Sequence, residues 1–192
     1  VTYVETGVCD MGVVGKDTIM EKGGTFYEVA DLGFGKCRFA LAVLKGKDLY
    51  EGYHTLTIAS KYVNVAKAFF EQKNMDVDIV KIEGSVELAP VLGLADAIVD
   101  IVETGTTLKE NGLVVAEEVC PVSARLIVNI ASMKRRKQEI EELIKKLHAQ
   151  ASEVTEFCSF KVTCEQDIDK IPLAFNSAKK ALTVWIYRNK IE

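Results

Sequence analysis

The hydrophobic pattern along the chain switches between two periods. Short runs rich in Val, Ile and Ala alternate with stretches of helical spacing, the arrangement of an α/β protein with mainly parallel sheets and flanking helices. Cys9 to Val14 predicts a strand and Lys16 to Lys22 a short helix, which Gly23-Gly24 breaks. Thr25 to Ala30 and Cys37 to Leu44 predict two strands around the turn Asp31-Leu32-Gly33-Phe34-Gly35. The polar span Lys45 to Tyr53 reads as a linker between lobes.

From Thr55 the alternation is regular: strand Thr55 to Ala59, helix Val63 to Gln72, strand Val77 to Ile82, helix Val86 to Leu92, strand Ala97 to Val102. Asn64 and Ser85 read as helix starts, and Glu87 suits the positive end of the second helix. Right-handed crossovers would make the three strands of this βαβαβ unit parallel. A strand from Ser123 to Ile130 follows Pro121. In a charged helix from Lys134 to Ala149, Ile140, Leu143, Ile144 and Leu147 form a stripe that reads as core packing. The cluster Lys134, Arg135, Arg136 and Lys137 reads as a solvated helix start. In 151–192, Phe157, Cys158, Phe160 and Val162 hint at a strand, Asn176 would cap a helix through Ala181, and Leu182 to Tyr187 is apolar.

Composition narrows the class without naming a function. The 192 residues are 48% apolar and 27% charged, which excludes a disordered chain, a fibre or a disulfide miniprotein. A formal charge of -4 without a basic patch argues against a nucleic-acid partner. No apolar run approaches the roughly 20 residues that cross a bilayer, so no membrane association is expected. The first residues carry no secretory pattern, and a cytoplasmic location is expected. The five cysteines, Cys9, Cys37, Cys120, Cys158 and Cys164, are odd in number and scattered, which favours reduced thiols over disulfides or structural zinc.

The densest chemistry lies between Ala95 and Leu113. An apolar strand delivers the chain into Glu103-Thr104-Gly105-Thr106-Thr107-Leu108, where a new helix would begin. Backbone N–H groups at a helix start, a glycine and adjacent hydroxyls make an anion cradle suited to phosphate. The acidic residues Asp96, Asp100 and Glu103 would repel a bare phosphate, but they suit ribose hydroxyls or Mg²⁺, which takes one or two carboxylates plus substrate oxygens. The turn Gly12-Val13-Val14-Gly15-Lys16-Asp17 fails the P-loop pattern, because Asp10 stands at its first glycine and Asp17 at its Ser/Thr. A two-lobed module that binds a small anion without catalysis is the alternative reading.

The loop resembles the 5-phosphoribosyl 1-diphosphate (PRPP) loop of phosphoribosyltransferases, and four further motifs narrow the match. Gly12 to Asp17, Asp31 to Ala40, Ile58-Ala59-Ser60-Lys61-Tyr62, Gly84-Ser85-Val86-Glu87-Leu88-Ala89-Pro90 and Gly93 to Leu113 resemble, in order, the ATP phosphoribosyltransferase family over about Val1 to Gln150. The resemblance implies a two-lobed, type II periplasmic-binding-protein-like fold. Its first lobe would be 1–44 with 120–150 and its second 45–119, with 151–192 a tail of unknown role. It implies transfer of the phosphoribosyl group to N1 of ATP in histidine biosynthesis. Glu103, Thr104, Gly105, Thr106, Thr107 and Leu108 would then hold the 5-phosphate. Asp96 and Asp100 would sit near the ribose or the metal, and Glu87 would face the ribose. Arg38, Lys61 and Tyr62 would line the cleft between lobes and contact nucleotide or pyrophosphate. No residue is assigned as acid or base. The resemblance further implies Mg²⁺, a homo-oligomer and a regulatory partner similar to a histidyl-tRNA synthetase, as in the short form of the enzyme. The resemblance also implies a front segment, with a strand and a Gly/Lys/Arg loop, ahead of the position of Val1, and this chain is expected to lack it.

Overall fold

The computed structural model describes residues 1–49, 54–151, 159–162 and 183–187. The chain divides into two compact units: unit 1 is Val1–Lys36 with Ser123–Glu192, and unit 2 is the uninterrupted segment Cys37–Val122. Each is built on a five-stranded sheet.

Unit 2 contains β3 (Cys37–Leu44), β4 (Leu56–Ser60), α3 (Val63–Gln72), β5 (Val77–Lys81), α4 (Leu88–Val91), β6 (Ala97–Val102), α5 (Thr106–Glu110) and β7 (Leu113–Val122). Its sheet runs β5-β4-β6-β3-β7. Strand β4 pairs parallel to both β5 and β6, as the βαβαβ pattern requires. Strand β3 pairs antiparallel to β6 and to β7.

Alternating side chains send β6 to both faces. Ala97 and Val99 pack with Phe39, Leu41 and Ile58 under the α3 residues Val65, Ala66, Phe69 and Phe70. Ile98 and Val102 pack on the other face with Ala40, Ala42, Ala59, Val86, Ala89 and Leu108. Small residues on that second face let the short helices α4 and α5 approach the sheet closely.

Unit 1 contains α1 (Thr2–Glu5), β1 (Cys9–Gly15), α2 (Lys16–Lys22), β2 (Tyr27–Asp31), β8 (Ala124–Val128), α6 (Ile130–Arg135), α7 (Lys137–Ala151), β9 (Ser159–Val162) and β10 (Thr183–Tyr187). Its sheet order is β2-β8-β1-β10-β9. Ile140 and Leu143 are buried against Met11, Val13, Leu126 and Val128 and Ile144 packs beside them, so these three residues of the expected stripe pack in the core, while the Leu147 side chain lies outside the described ones. Val4, Cys9 and Ile127 form a smaller cluster with Ile19 and Phe26. Of the basic cluster before α7, Arg136 turns inward, its Nη1 at 3.1 Å from Asp10. Asp10 is buried and also accepts from the Ser132 hydroxyl.

Several expectations change. The sheets are mixed rather than mainly parallel: β1 lies antiparallel to β8 and β10, and β2 antiparallel to β8. Strands β3 and β7 carry the chain into and out of unit 2 and lie side by side, which produces the antiparallel half of its sheet. Cys37–Leu44, read with the first lobe, pairs along its length with strands of unit 2. The single charged helix is two: Asn129 starts α6 by accepting from Ala131 N at 3.0 Å and Ser132 N at 3.2 Å, and the backbone leaves the helical region at Arg136, with φ -126° and ψ 35°, before α7 begins. Helix α3 starts at Tyr62 rather than Asn64, and α4 at Glu87 rather than Ser85. The helix expected from Asn176 to Ala181 lies outside the described residues. Cys9, Cys37 and Cys120 are free thiols. Among the described residues no helix is long and apolar enough to cross a membrane.

Candidate functional site

The topology of unit 2 locates a binding crevice before any side chain is considered. From β4 the chain crosses through α3 to β5 on one side, and through α4 it then reaches β6 on the other side of β4. In open α/β sheets, ligands bind beyond the carboxyl ends of the parallel strands, where the direction of crossing reverses. That point falls between the ends of β4 and β6. The chain leaves β4 as Ser60-Lys61-Tyr62 and leaves β6 as Glu103-Thr104-Gly105-Thr106, two of the motifs singled out above.

The loop after β6 turns on Gly105, which has φ +78° and serves as the N-cap of α5. A Cβ there would lie 3.7 Å from Val102 Cγ1, an ordinary contact, so the glycine answers to backbone conformation rather than to crowding. The Thr104 and Thr106 hydroxyls lie 3.0 Å apart, one donating to the other, which gathers two hydroxyl groups at the helix start. Glu103, Thr104, Thr106 and Thr107 are exposed, but Leu108 is buried in the core beneath the loop. Leu108 therefore anchors the turn instead of offering its side chain to a ligand. Asn111 closes the far end through its Nδ2, which donates to Thr107 O at 2.9 Å.

Asp100 lies three residues before the loop, on the sheet face covered by α4 and α5. Burial pushes its carboxyl above the usual carboxylate range and the charge of Glu87 adds to this, while the Ile101 N–H and Lys61 oppose it. The charges of Glu87 and Lys61 thus act on Asp100 beside the loop. Arg38 pairs with Val102 in the β3–β6 register, which puts it at the same end of the sheet, and its Nε lies 2.8 Å from Glu118. Tyr62 packs edge-on against Phe39, with ring centroids 4.8 Å apart, and the Lys61 ammonium lies 5.8 Å from the Tyr62 ring centroid.

Asp96 does not join them. It precedes β6 whereas the loop follows it, and a six-residue strand at roughly 3.3 Å per residue puts about 20 Å between the two. Its Oδ1 accepts from Lys47 Nζ at 2.7 Å and lies 3.6 Å from His54, while its Oδ2 accepts from Thr57 N at 2.9 Å. The Lys47 bond, then the Thr57 N–H, hold the Asp96 carboxyl below its ordinary range. Asp96 is a clasp for the segment that leads into β4, so its assignment to the ribose or metal is corrected.

Ser60 lies inside the Ile58 to Tyr62 motif, and the structure makes it a node. It is fully buried, and its Oγ donates to Val99 O at 2.6 Å and accepts from Tyr62 N at 2.9 Å. A buried serine at a strand end is the only sign of this in the sequence. No group of three or more His, Cys, Asp or Glu is arranged to hold a metal by itself among the described residues.

Comparisons with known proteins agree with one another. The family described as ATP phosphoribosyltransferase matches residues 1–149. An ATP phosphoribosyltransferase of Clostridium kluyveri is 61% identical over 153 residues, covering 80% of this chain and 70% of the relative. One from Clostridium novyi is 59% identical over 147 residues, covering 77% and 69%. Among solved structures, the ATP phosphoribosyl transferase (HisG:HisZ) complex from Thermotoga maritima matches with a TM-score of 0.70 and 36% identity, covering 79% of this chain and 74% of that one.

Proposed function

The chain belongs to the ATP phosphoribosyltransferase family, and from that membership we propose that it transfers the 5-phosphoribosyl group of PRPP to N1 of ATP, the first step of histidine biosynthesis. The fold is the α/β, type II periplasmic-binding-protein-like class of that family, and the chain is similar to the short-form catalytic subunit. In the reaction the bond from ribose C1 to the diphosphate oxygen breaks, a bond from C1 to adenine N1 forms, and pyrophosphate leaves.

The observation that supports this reading is the Gly105 turn, with its grouped threonine hydroxyls, at the carboxyl end of β6 where the direction of crossing reverses. Thr104, Gly105, Thr106 and Thr107 receive the 5-phosphate, and Glu103 stands at the entrance of the loop. Positive charge grows on the ribose carbon as the diphosphate departs, and the carboxylates of Asp100 and Glu87 stabilise it. Lys61 and Tyr62 contact the nucleotide or the leaving diphosphate, and Arg38 does so from β3. A simple anion receptor would have no use for two carboxylates beside the phosphate, which disfavours the non-catalytic alternative.

Burial, and then the charge of Glu87, opposes ionisation of Asp100, and a bound cation would relieve that opposition. These two residues would hold Mg²⁺ together with substrate oxygens, and the ion would neutralise the leaving diphosphate. The reading extends to a homo-oligomer, a regulatory partner of the HisZ kind and a place in the cytoplasm. The test is formation of phosphoribosyl-ATP from ATP, PRPP and Mg²⁺, with and without a HisZ-like subunit. Absence of both turnover and PRPP binding in either condition overturns the proposal.

A further inference from the structure

Ser60 occupies the place where β4 and β6 part. Their backbone register runs through Ile58 opposite Ala97 and Ala59 opposite Ile98, and no further. One residue on, the Ser60 hydroxyl takes over, donating to Val99 O on β6 at 2.6 Å while accepting from Tyr62 N at 2.9 Å. The Ser60 carbonyl accepts from Ile82 N at 3.1 Å, just beyond β5. One residue therefore ties together the carboxyl ends of three parallel strands. Its hydroxyl grips β6 immediately before Asp100 and sets the turn that carries Lys61 and Tyr62.

We propose that Ser60 is a positioning residue of the transferase, whose buried hydroxyl fixes the Lys61-Tyr62 turn against the Asp100 end of β6 before substrate arrives. The inference rests on the reading of Lys61 as a substrate contact given above. Its physical basis is that both halves of the crevice are loops, and loops hold a productive geometry only when a rigid element fixes them. Without the hydroxyl, the buried Val99 O and the half-buried Tyr62 N lose their shared partner, and the turn moves to recover hydrogen bonds.

The experiment is a double-mutant cycle on the complete chain, with Ser60→Ala, Lys61→Ala and the pair. Affinity for PRPP with Mg²⁺ and for ATP is read by calorimetry, and thermal unfolding is recorded for each variant. Lys61→Ala is expected to weaken one of the two ligands, and Ser60→Ala to weaken that same ligand about tenfold. In the pair the Ser60 effect should largely vanish, because the hydroxyl acts through the turn that Lys61 occupies. Ser60→Thr, which keeps a hydroxyl on a β-branched side chain suited to a strand end, should retain affinity. If Ser60→Ala does not fold, Ser60→Cys takes its place in the same cycle, because its size is similar and its donor weaker.

If Lys61→Ala changes neither affinity, the contact assignment fails and the positioning role with it. If Lys61→Ala weakens binding but the Ser60 effect is absent, or multiplies unchanged in the pair, only the positioning role is overturned.

Discussion

Asp96 and Asp100 lie four residues apart in one motif, and the structure predicts opposite consequences for removing their charges. Consider Asp96→Asn. The amide keeps an oxygen to accept from Thr57 N, so the main loss is the ion pair to Lys47 at 2.7 Å. The Lys47 side chain is 41% exposed and the Asp96 side chain 19%, so solvent screens the pair, which is worth about 0.5–1 kcal/mol. Asp96→Ala also strands the half-buried Thr57 N–H and should cost about 2 kcal/mol. For a chain of this size, 1 kcal/mol lowers the unfolding temperature by about 2–4 °C, so the asparagine variant should melt roughly 1–4 °C lower and the alanine variant roughly 4–8 °C lower. The folded-state carboxyl of Asp96 titrates below its ordinary value of about 4. Its contribution is therefore fully present above that value and lost as pH falls through the lower folded value. Denaturant titrations should show the wild-type advantage over Asp96→Asn at pH 7 and its disappearance in strong acid. PRPP affinity measured by calorimetry should change by no more than about twofold, because some 20 Å of β6 separates Asp96 from the loop. A tenfold loss of PRPP affinity in Asp96→Asn without a change in melting would refute the clasp and return Asp96 to the binding site.

Asp100→Asn should behave in the reverse way. Burial raises the Asp100 carboxyl, so the ionised form opposes folding above the raised value and does so nowhere below the ordinary one; the variant should be more stable than wild type at pH 7, lose that gain in acid, and turn over more slowly. Thr104→Ala combined with Thr107→Ala should weaken PRPP binding while leaving circular dichroism and melting unchanged, and unaltered affinity would sink the phosphate-loop assignment. Gly105→Ala meets no clash but forces an alanine to φ +78°, at a cost of about 1–2 kcal/mol, so calorimetry should show PRPP binding several-fold weaker.

The half of the fold that the sequence discloses is the half built from local signals. The boundaries of α3 and β6 and the parallel β4-β5-β6 core follow from runs whose period and length agree with their burial. Strand β7 escaped notice because it is an edge strand with alternation broken by two register shifts and with Pro121 near its end, and only an edge tolerates that proline. The start of α6 depends on Asn129 as a cap, a residue inside the strand expected from Ser123 to Ile130, and the break before α7 falls at Arg136, which leaves the helical region. For the site, the Gly105 turn was legible because a glycine and hydroxyls in tandem are a local device. Asp96 shows the opposite case: contiguity in a motif is not proximity when a strand runs between its two ends. Its true partners Lys47 and His54 lie 49 and 42 positions earlier, where no spacing rule reaches. Ser60 shows only as a serine at a strand end, because its acceptor on Val99 is a backbone atom 39 residues away.

The division at Lys36 and at Val122 sets an order of events during synthesis. Unit 2 is one unbroken stretch, and its first and last residues, Cys37 and Val122, face each other in adjacent strands. Every strand of its sheet has been made once Val122 leaves the ribosome. The sheet of unit 1 is still missing β8, which belongs between β2 and β1, so those two early strands have no shared partner while the whole of unit 2 is being translated. An inserted unit with adjoining ends can close on itself and bring the two halves of its host together, so that β8 emerges already beside the gap it fills.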